Sequence, residues 1–127
     1  MFKLPIAITC FLKLDTLKNT LRSLENLALA KGASLELYFC VDRCEDPKFM
    51  RDREEVLALV KGYQTPHGKH VLEPQSGLGP FRAREFLADA IFPQYELALF
   101  VEDDAVLASD ALLWIDKTKQ LLREKDV

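Results

Sequence analysis

Apolar, β-favouring runs alternate with stretches of helical periodicity along this chain, and the alternation occurs four times. Residues 6–12 (Ile6-Ala7-Ile8-Thr9-Cys10-Phe11-Leu12) read as a first strand, 35–41 as a second, 69–72 as a short third and 97–101 as a fourth. Leu17, Leu21, Leu24 and Ala28 follow the first strand at spacings that put them on one helical face. Phe49, Val56, Leu57 and Val60 do the same for a helix over 48–61. So do Ala83, Phe86, Leu87, Ala90 and Ile91 before the fourth strand, and Trp114, Ile115, Leu121 and Leu122 after it. The order β-α-β-α-β-α-β-α predicts an α/β fold. Right-handed crossovers between parallel strands place helices on both faces of one sheet. At 127 residues the chain holds one domain, 1–127, with a core of its own.

Breakers and caps mark the joints. Asp15 or Thr16 is the expected cap of the first helix, with Gly32 ending it. Pro47 suits the opening turn of the second helix and Gly62 its close. Thr65-Pro66-His67-Gly68 reads as a turn, and Gly79-Pro80 as the start of the third helix, which Pro93 stops. Ser109 or Asp110 is expected to cap the last helix, running through Leu122 into a charged, frayed tail over 123–127.

The fourth strand carries the chemistry. Its unbroken apolar run, Leu97-Ala98-Leu99-Phe100-Val101, is expected to be covered on both faces, and it ends in Glu102-Asp103-Asp104. Ligands of open α/β sheets bind beyond the carboxyl ends of the strands. Three adjacent carboxylates at the rim of an apolar core need a cation or dense hydrogen bonding. A divalent ion held by one or two carboxylates usually shares phosphate oxygens. Asp42 ends the second strand at the same sheet edge, and Arg82 and Arg84 lie in the first turns of the third helix. Arginine near a helix N-terminus suits the charge of a diphosphate. These residues together point to a metal–nucleotide site.

Composition excludes several other classes. The chain is 49% hydrophobic and 29% charged, as in a globular domain, and its net charge of −3 argues against nucleic acid as a partner. No apolar run reaches the ~20 residues of a membrane span. The apolar stretch near Met1 lacks a small-residue cleavage site and reads as the first strand, not a secretion signal. Cys10, Cys40 and Cys44 are odd in number, and two lie in strand-like runs. They read as reduced thiols of a cytoplasmic protein, without a zinc set. His67 and His70 flank a turn with no third ligand and read as surface residues.

The run Phe100-Val101-Glu102-Asp103-Asp104, continued by Ala105 to Asp110, the opening Ile6 to Phe11 and the pair Val41-Asp42 resemble the nucleotide-sugar-binding half of GT-A fold glycosyltransferases. Within that fold the likeness is to the N-acetylglucosaminyltransferase I family and to glycosyltransferase family 2. The resemblance implies a parallel, Rossmann-like donor-binding domain with a UDP-linked sugar as partner and Mn²⁺ or Mg²⁺ as cofactor. It implies that Asp104 holds the metal, that Glu102 and Asp103 contact the ribose and the transferred sugar, and that Asp42 accepts from uracil N3–H. Arg82 or Arg84 would face the nucleotide, and Phe11 to Lys13 would line the base pocket, Lys13 standing where the family often has Arg.

The chemistry implied is sugar transfer with loss of a diphosphate, the metal stabilising charge on the leaving oxygen. In the resembling families the catalytic base lies beyond the metal motif, where this sequence has one helix, so no catalytic base is assigned. The chain would then lack the acceptor-binding half, either as a piece of a longer protein or as a minimal one whose acceptor side comes from a partner or is lost, and the sheet edge where that half would pack suits a second copy or a partner. The alternative is a non-catalytic nucleotide-sugar-binding or assembly module. A nucleotidyltransferase ranks lower, because Leu12-Lys13-Leu14-Asp15-Thr16 has no glycine-rich phosphate loop.

Overall fold

Two nine-residue strands form the centre of the sheet. In a computed structural model that describes residues 2–29 and 32–125, β1 (Phe2–Cys10) and β2 (Ala33–Val41) run parallel and pair along their whole length. β3 (Gly68–Leu72) joins the outer side of β2, and β4 (Leu99–Glu102) joins β1, giving the parallel order β3-β2-β1-β4. The helices are α1 (Leu14–Glu25), α2 (Met50–Gly62) after a single 3-10 turn at Pro47–Phe49, α3 (Gly79–Ile91) and α4 (Ala111–Lys125). The α/β alternation read from the sequence is therefore the observed one.

Strand side chains alternate between the faces, so each face has its own core. Ile6, Ile8, Leu35, Leu37, Phe39, Val41 and Val101 pack with Leu17, Leu21 and Leu24 of α1, Val56 and Val60 of α2 and Leu112 of α4. Ala7, Tyr38 and Cys40 pack on the other face with Ala83, Leu87 and Ile91 of α3. The chain builds outward from β1 to β2 to β3, then α3 carries it back over the opposite face to β4. That reversal creates a switch point between β1 and β4, where a crevice opens at the carboxyl ends of the strands.

Several boundaries differ from the sequence expectation. β1 starts at Phe2, not at residue 6, and stops at Cys10, because Phe11 and Leu12 bend away from the sheet. α1 has Lys13 at its cap position with no side-chain cap, and Thr16 donates its hydroxyl back to the Lys13 carbonyl at 3.3 Å. Gly32 lies well past the helix, which ends at Glu25. Its φ of +81° serves the turn into β2 instead.

β4 is the largest departure. It is an edge strand, only Val101 is fully buried, and Leu97 and Ala98 precede it outside the sheet. Among the described side chains of α4 Leu112 is buried, while Trp114 is 64% and Leu121 51% exposed; the Leu122 side chain and residues 126–127 lie outside what the structure describes. No described helix is long and apolar enough to cross a membrane.

Arg53 is buried on the inner side of α2, a position the apolar periodicity did not mark. Its Nε donates to the Asp42 carbonyl at 3.0 Å, and its Nη2 reaches the Val41 carbonyl at 3.4 Å and Glu73 Oε1 at 3.0 Å. It thus ties the end of β2 to the segment leaving β3. The Arg53 hydrogen bond, helped by Lys61, holds the Glu73 carboxyl below its ordinary range. We expect Arg53→Met to cost about 2–3 kcal/mol in urea denaturation at neutral pH. A carboxylate whose folded pKa is lowered stabilises above its unfolded value, and loses that increment as pH falls through the folded value. The gap between the denaturation midpoints of the two proteins should therefore narrow in acid without closing, because the bonds to the Asp42 and Val41 carbonyls do not titrate.

Candidate functional site

The carboxyl ends of β1, β2 and β4 come together in register. Thr9 lies opposite both Cys40 and Glu102, and the Asp42 amide donates to the Cys10 carbonyl at 3.0 Å. Asp42 and the acidic turn after β4 therefore flank the first residues beyond β1. Between them is a cleft of about 430 Å³. β1 contributes Thr9 and Cys10, and the β1–α1 connection Phe11 and Lys13. One side carries Asp42, Arg43, Gly77, Gly79 and Pro80, the other Glu102, Asp103 and Asp104. A second hollow, of about 340 Å³, is lined by Thr9, Arg84, β4 and Leu107, and it shares Glu102 and Asp104 with the first.

The three carboxylates have three different partners. Glu102 Oε1 accepts from Arg84 Nη2 at 2.8 Å, both side chains about half exposed. Asp103 is half-buried and its Oδ2 accepts from the Phe11 amide at 3.2 Å. Burial raises the Asp103 pKa and the neighbouring Asp104 charge adds to this, against the pull of the Phe11 amide and Lys13. Asp104 Oδ2 lies 3.7 Å from Lys13 Nζ. Among the described residues no group of three His, Cys, Asp or Glu side chains converges as a ready-made metal cage.

α1 holds the acidic turn in place. The Thr20 hydroxyl is fully buried, 2.6 Å from the Ala105 carbonyl and 3.1 Å from that of Asp103. Ser23, one turn further on, donates to the Thr20 carbonyl at 2.7 Å and accepts from the Leu107 amide at 3.1 Å. The Ala105 amide closes the turn on the Glu102 carbonyl at 3.1 Å. Sequence reading missed Thr20 and Ser23. The available signal was two small hydroxyl residues inside the Leu17–Leu21–Leu24 stripe. Thr20→Val keeps the shape and removes the donor, and should cost about 1–2 kcal/mol in thermal or urea unfolding, with Thr20→Ser recovering most of it.

Asp42 is 7% exposed and its oxygens are already engaged. Oδ1 accepts from the Arg43 amide at 2.8 Å and the Leu78 amide at 2.9 Å, and Oδ2 from the Gly79 amide at 2.9 Å. Leu78 and Gly79 are the entry to α3, so the carboxylate just beyond β2 caps that helix across the fold. Gly79 has φ +80°, and a Cβ on Gly77 would meet the Arg43 carbonyl at 3.1 Å, so the glycines let this loop close on β2. Arg43 Nε donates to the Pro74 carbonyl at 2.6 Å, which fixes the same loop.

Of the residues singled out from sequence, Phe11, Lys13, Asp42, Glu102, Asp103 and Asp104 line the cleft. Arg84 reaches it through Glu102, whereas Arg82 is exposed and lines neither hollow. The two arginines are two residues apart, a helical rotation of about 200°, which puts them on opposite sides of α3. Cys10, at the floor of the cleft, and Cys40 are buried free thiols, burial pushing Cys10 well up and Cys40 up to about 12. His70 stacks on Tyr38 with ring centroids 4.3 Å apart and lies 2.6 Å from Glu36, remote from the cleft.

No protein-family model matches the chain, and no curated protein sequence matches it. Solved structures match its fold. The chain superposes on S. aureus TarS with a TM-score of 0.71 at 17% identity, over 92% of this chain and 19% of that one. Against TarS 1–349 in complex with UDP the TM-score is 0.71 at 17% identity, over 92% of this chain and 31% of that one. Against the complex with UDP-GlcNAc it is 0.66 at 18% identity, over 94% and 30%. The chain thus spans between about a fifth and a third of the length of these structures, and shares their α/β fold.

Proposed function

We propose that this chain is the donor-binding domain of a GT-A type glycosyltransferase, and that its cleft takes a nucleoside diphosphate sugar, UDP-linked, together with Mn²⁺ or Mg²⁺. One observation carries the reading: Asp42, Asp103 and Asp104 surround a single hollow at the strand switch point, in a fold shared with TarS chains crystallised with UDP and UDP-GlcNAc.

The donor set fits a hard divalent ion. Asp103 and Asp104 offer carboxylate oxygens, and the Lys13 ammonium beside Asp104 shows that this position draws positive charge. One or two carboxylates suffice when pyrophosphate oxygens complete the shell. Asp104 is the residue assigned to the ion. When bound, the ion supplies Lewis-acid stabilisation of charge on the departing diphosphate. Phe11 and Lys13 border the base, and Glu102 and Asp103 border the ribose and the sugar. Asp42 Oδ2, which carries one amide, keeps a lone pair for a base N–H. Arg84 holds Glu102 at the rim and adds positive charge near the phosphates.

The test is thermal unfolding with Mn²⁺ and UDP, singly and together. The two together should raise the melting temperature by more than the sum of their separate effects. No shift at millimolar concentrations of both would overturn the reading.

A further inference from the structure

We propose that Lys13 is a tethered cation that occupies the acidic turn in the metal-free protein and competes with the divalent ion for Asp104. The inference rests on the reading of the cleft given above, and adds a residue that sets how readily the ion enters.

The placement of Lys13 is unfavourable by local rules. It sits at the cap position of α1, where the helix presents its positive end, and it supplies no side-chain cap to the free amides. Lysine is favoured at the opposite end of a helix. The residue is accounted for by what lies across the cleft. Its Nζ is 3.7 Å from Asp104 Oδ2, and it also favours the ionised form of Asp103. Among the described residues it is the one cation paired with Asp104, since Arg84 is engaged with Glu102.

The ammonium is also easily moved. Its side chain is 63% exposed and that of Asp104 47%. Lysine is a point charge on a flexible four-carbon stem, without the fixed fork that would lock an arginine onto a carboxylate. An exposed pair of this kind biases occupancy by up to about fivefold. Repulsion between the ammonium and an arriving dication adds to that. The geometry therefore describes a weak, displaceable plug: strong enough to offset the Asp104 charge, and weak enough to yield to a dication.

The experiment is direct titration of Mn²⁺, read by loss of the free-ion EPR signal, for the wild type and for Lys13→Met, Lys13→Gln and Lys13→Arg. Circular dichroism establishes that each variant is folded. The two neutral variants should bind Mn²⁺ about five- to tenfold more tightly than the wild type at low salt, with the gap narrowing as salt rises. Lys13→Arg should bind Mn²⁺ no more tightly than the wild type, and more weakly where its fork engages Asp104. Adding Asp104→Asn to Lys13→Met should abolish the gain. Wild-type Mn²⁺ binding that is unchanged or weakened in both neutral variants would overturn the role of Lys13 and leave the metal site standing. Absence of Mn²⁺ binding in every protein, with UDP present or not, would overturn the metal site itself.

Discussion

Asp104→Ala abolishes the joint stabilisation by Mn²⁺ and UDP while leaving the unliganded protein almost as stable as before: this is the result expected with the largest effect on ligand binding. The Asp104 side chain is about half exposed, and among the described residues its partner is one ammonium at 3.7 Å. Losing such a contact changes folding by about 0.5 kcal/mol or less. Ligand at a hundred times its dissociation constant stabilises by about 2.7 kcal/mol. In a domain of this size that corresponds to a rise of roughly 10 °C, all of which the variant should lose. Asp104→Asn should behave similarly, because the amide keeps the shape and hydrogen-bonding capacity but not the charge. A variant that keeps the full shift would remove Asp104 from the site.

Asp42→Ala should have the largest effect on folding. One buried carboxylate satisfies the amides of Arg43, Leu78 and Gly79 and is not replaced by water without rearrangement. Hydrogen bonds to a charged acceptor are worth about 1.5–3 kcal/mol each, less than additively when they share one group. A total loss of about 3–4 kcal/mol follows, a large share of the 5–15 kcal/mol typical of a domain. Urea denaturation should show it as a lower midpoint, and a change below 1 kcal/mol would mean that α3 is capped otherwise.

The same substitution also displaces one side of the cleft, so loss of UDP binding in it does not show that Asp42 reads the base. Changing the base does. Uracil presents N3–H to an acceptor, whereas cytosine presents a bare N3, so CDP should bind more weakly than UDP to the intact protein.

The alternation of elements was legible because strands and helices have different periods and the chain keeps each period cleanly. Ile6 to Cys10 and Leu35 to Val41 had the composition of central strands, and they are the central strands. The same reasoning overstated β4. A run of five apolar residues looks identical whether two faces are covered or the strand lies at an edge with its outer side chains against neighbours such as Phe92. The cleft acids were legible because charge stops an apolar run abruptly. The groups that hold them were not. Thr20, Ser23 and Arg53 face inward, and a polar residue on a helix is ordinarily assigned to the solvent side. Only the tertiary structure shows that their partners are carbonyls and amides left over at loop ends. Asp42 was legible as a residue at the strand-end rim, where it lines the cleft, but its role as the cap of α3 depends on a loop more than thirty positions away.

The margin of the sheet at β4 has one more implication. Among the described residues no strand pairs with its outer side, and its last residue, Glu102, borders both hollows. Any segment that zips onto Leu99 to Val101, whether from elsewhere in a longer polypeptide or from another molecule, comes to rest within one side chain of the acidic turn. Adhesion along that seam and occupancy of the cleft are neighbours by construction, with Glu102 standing at the junction of the two.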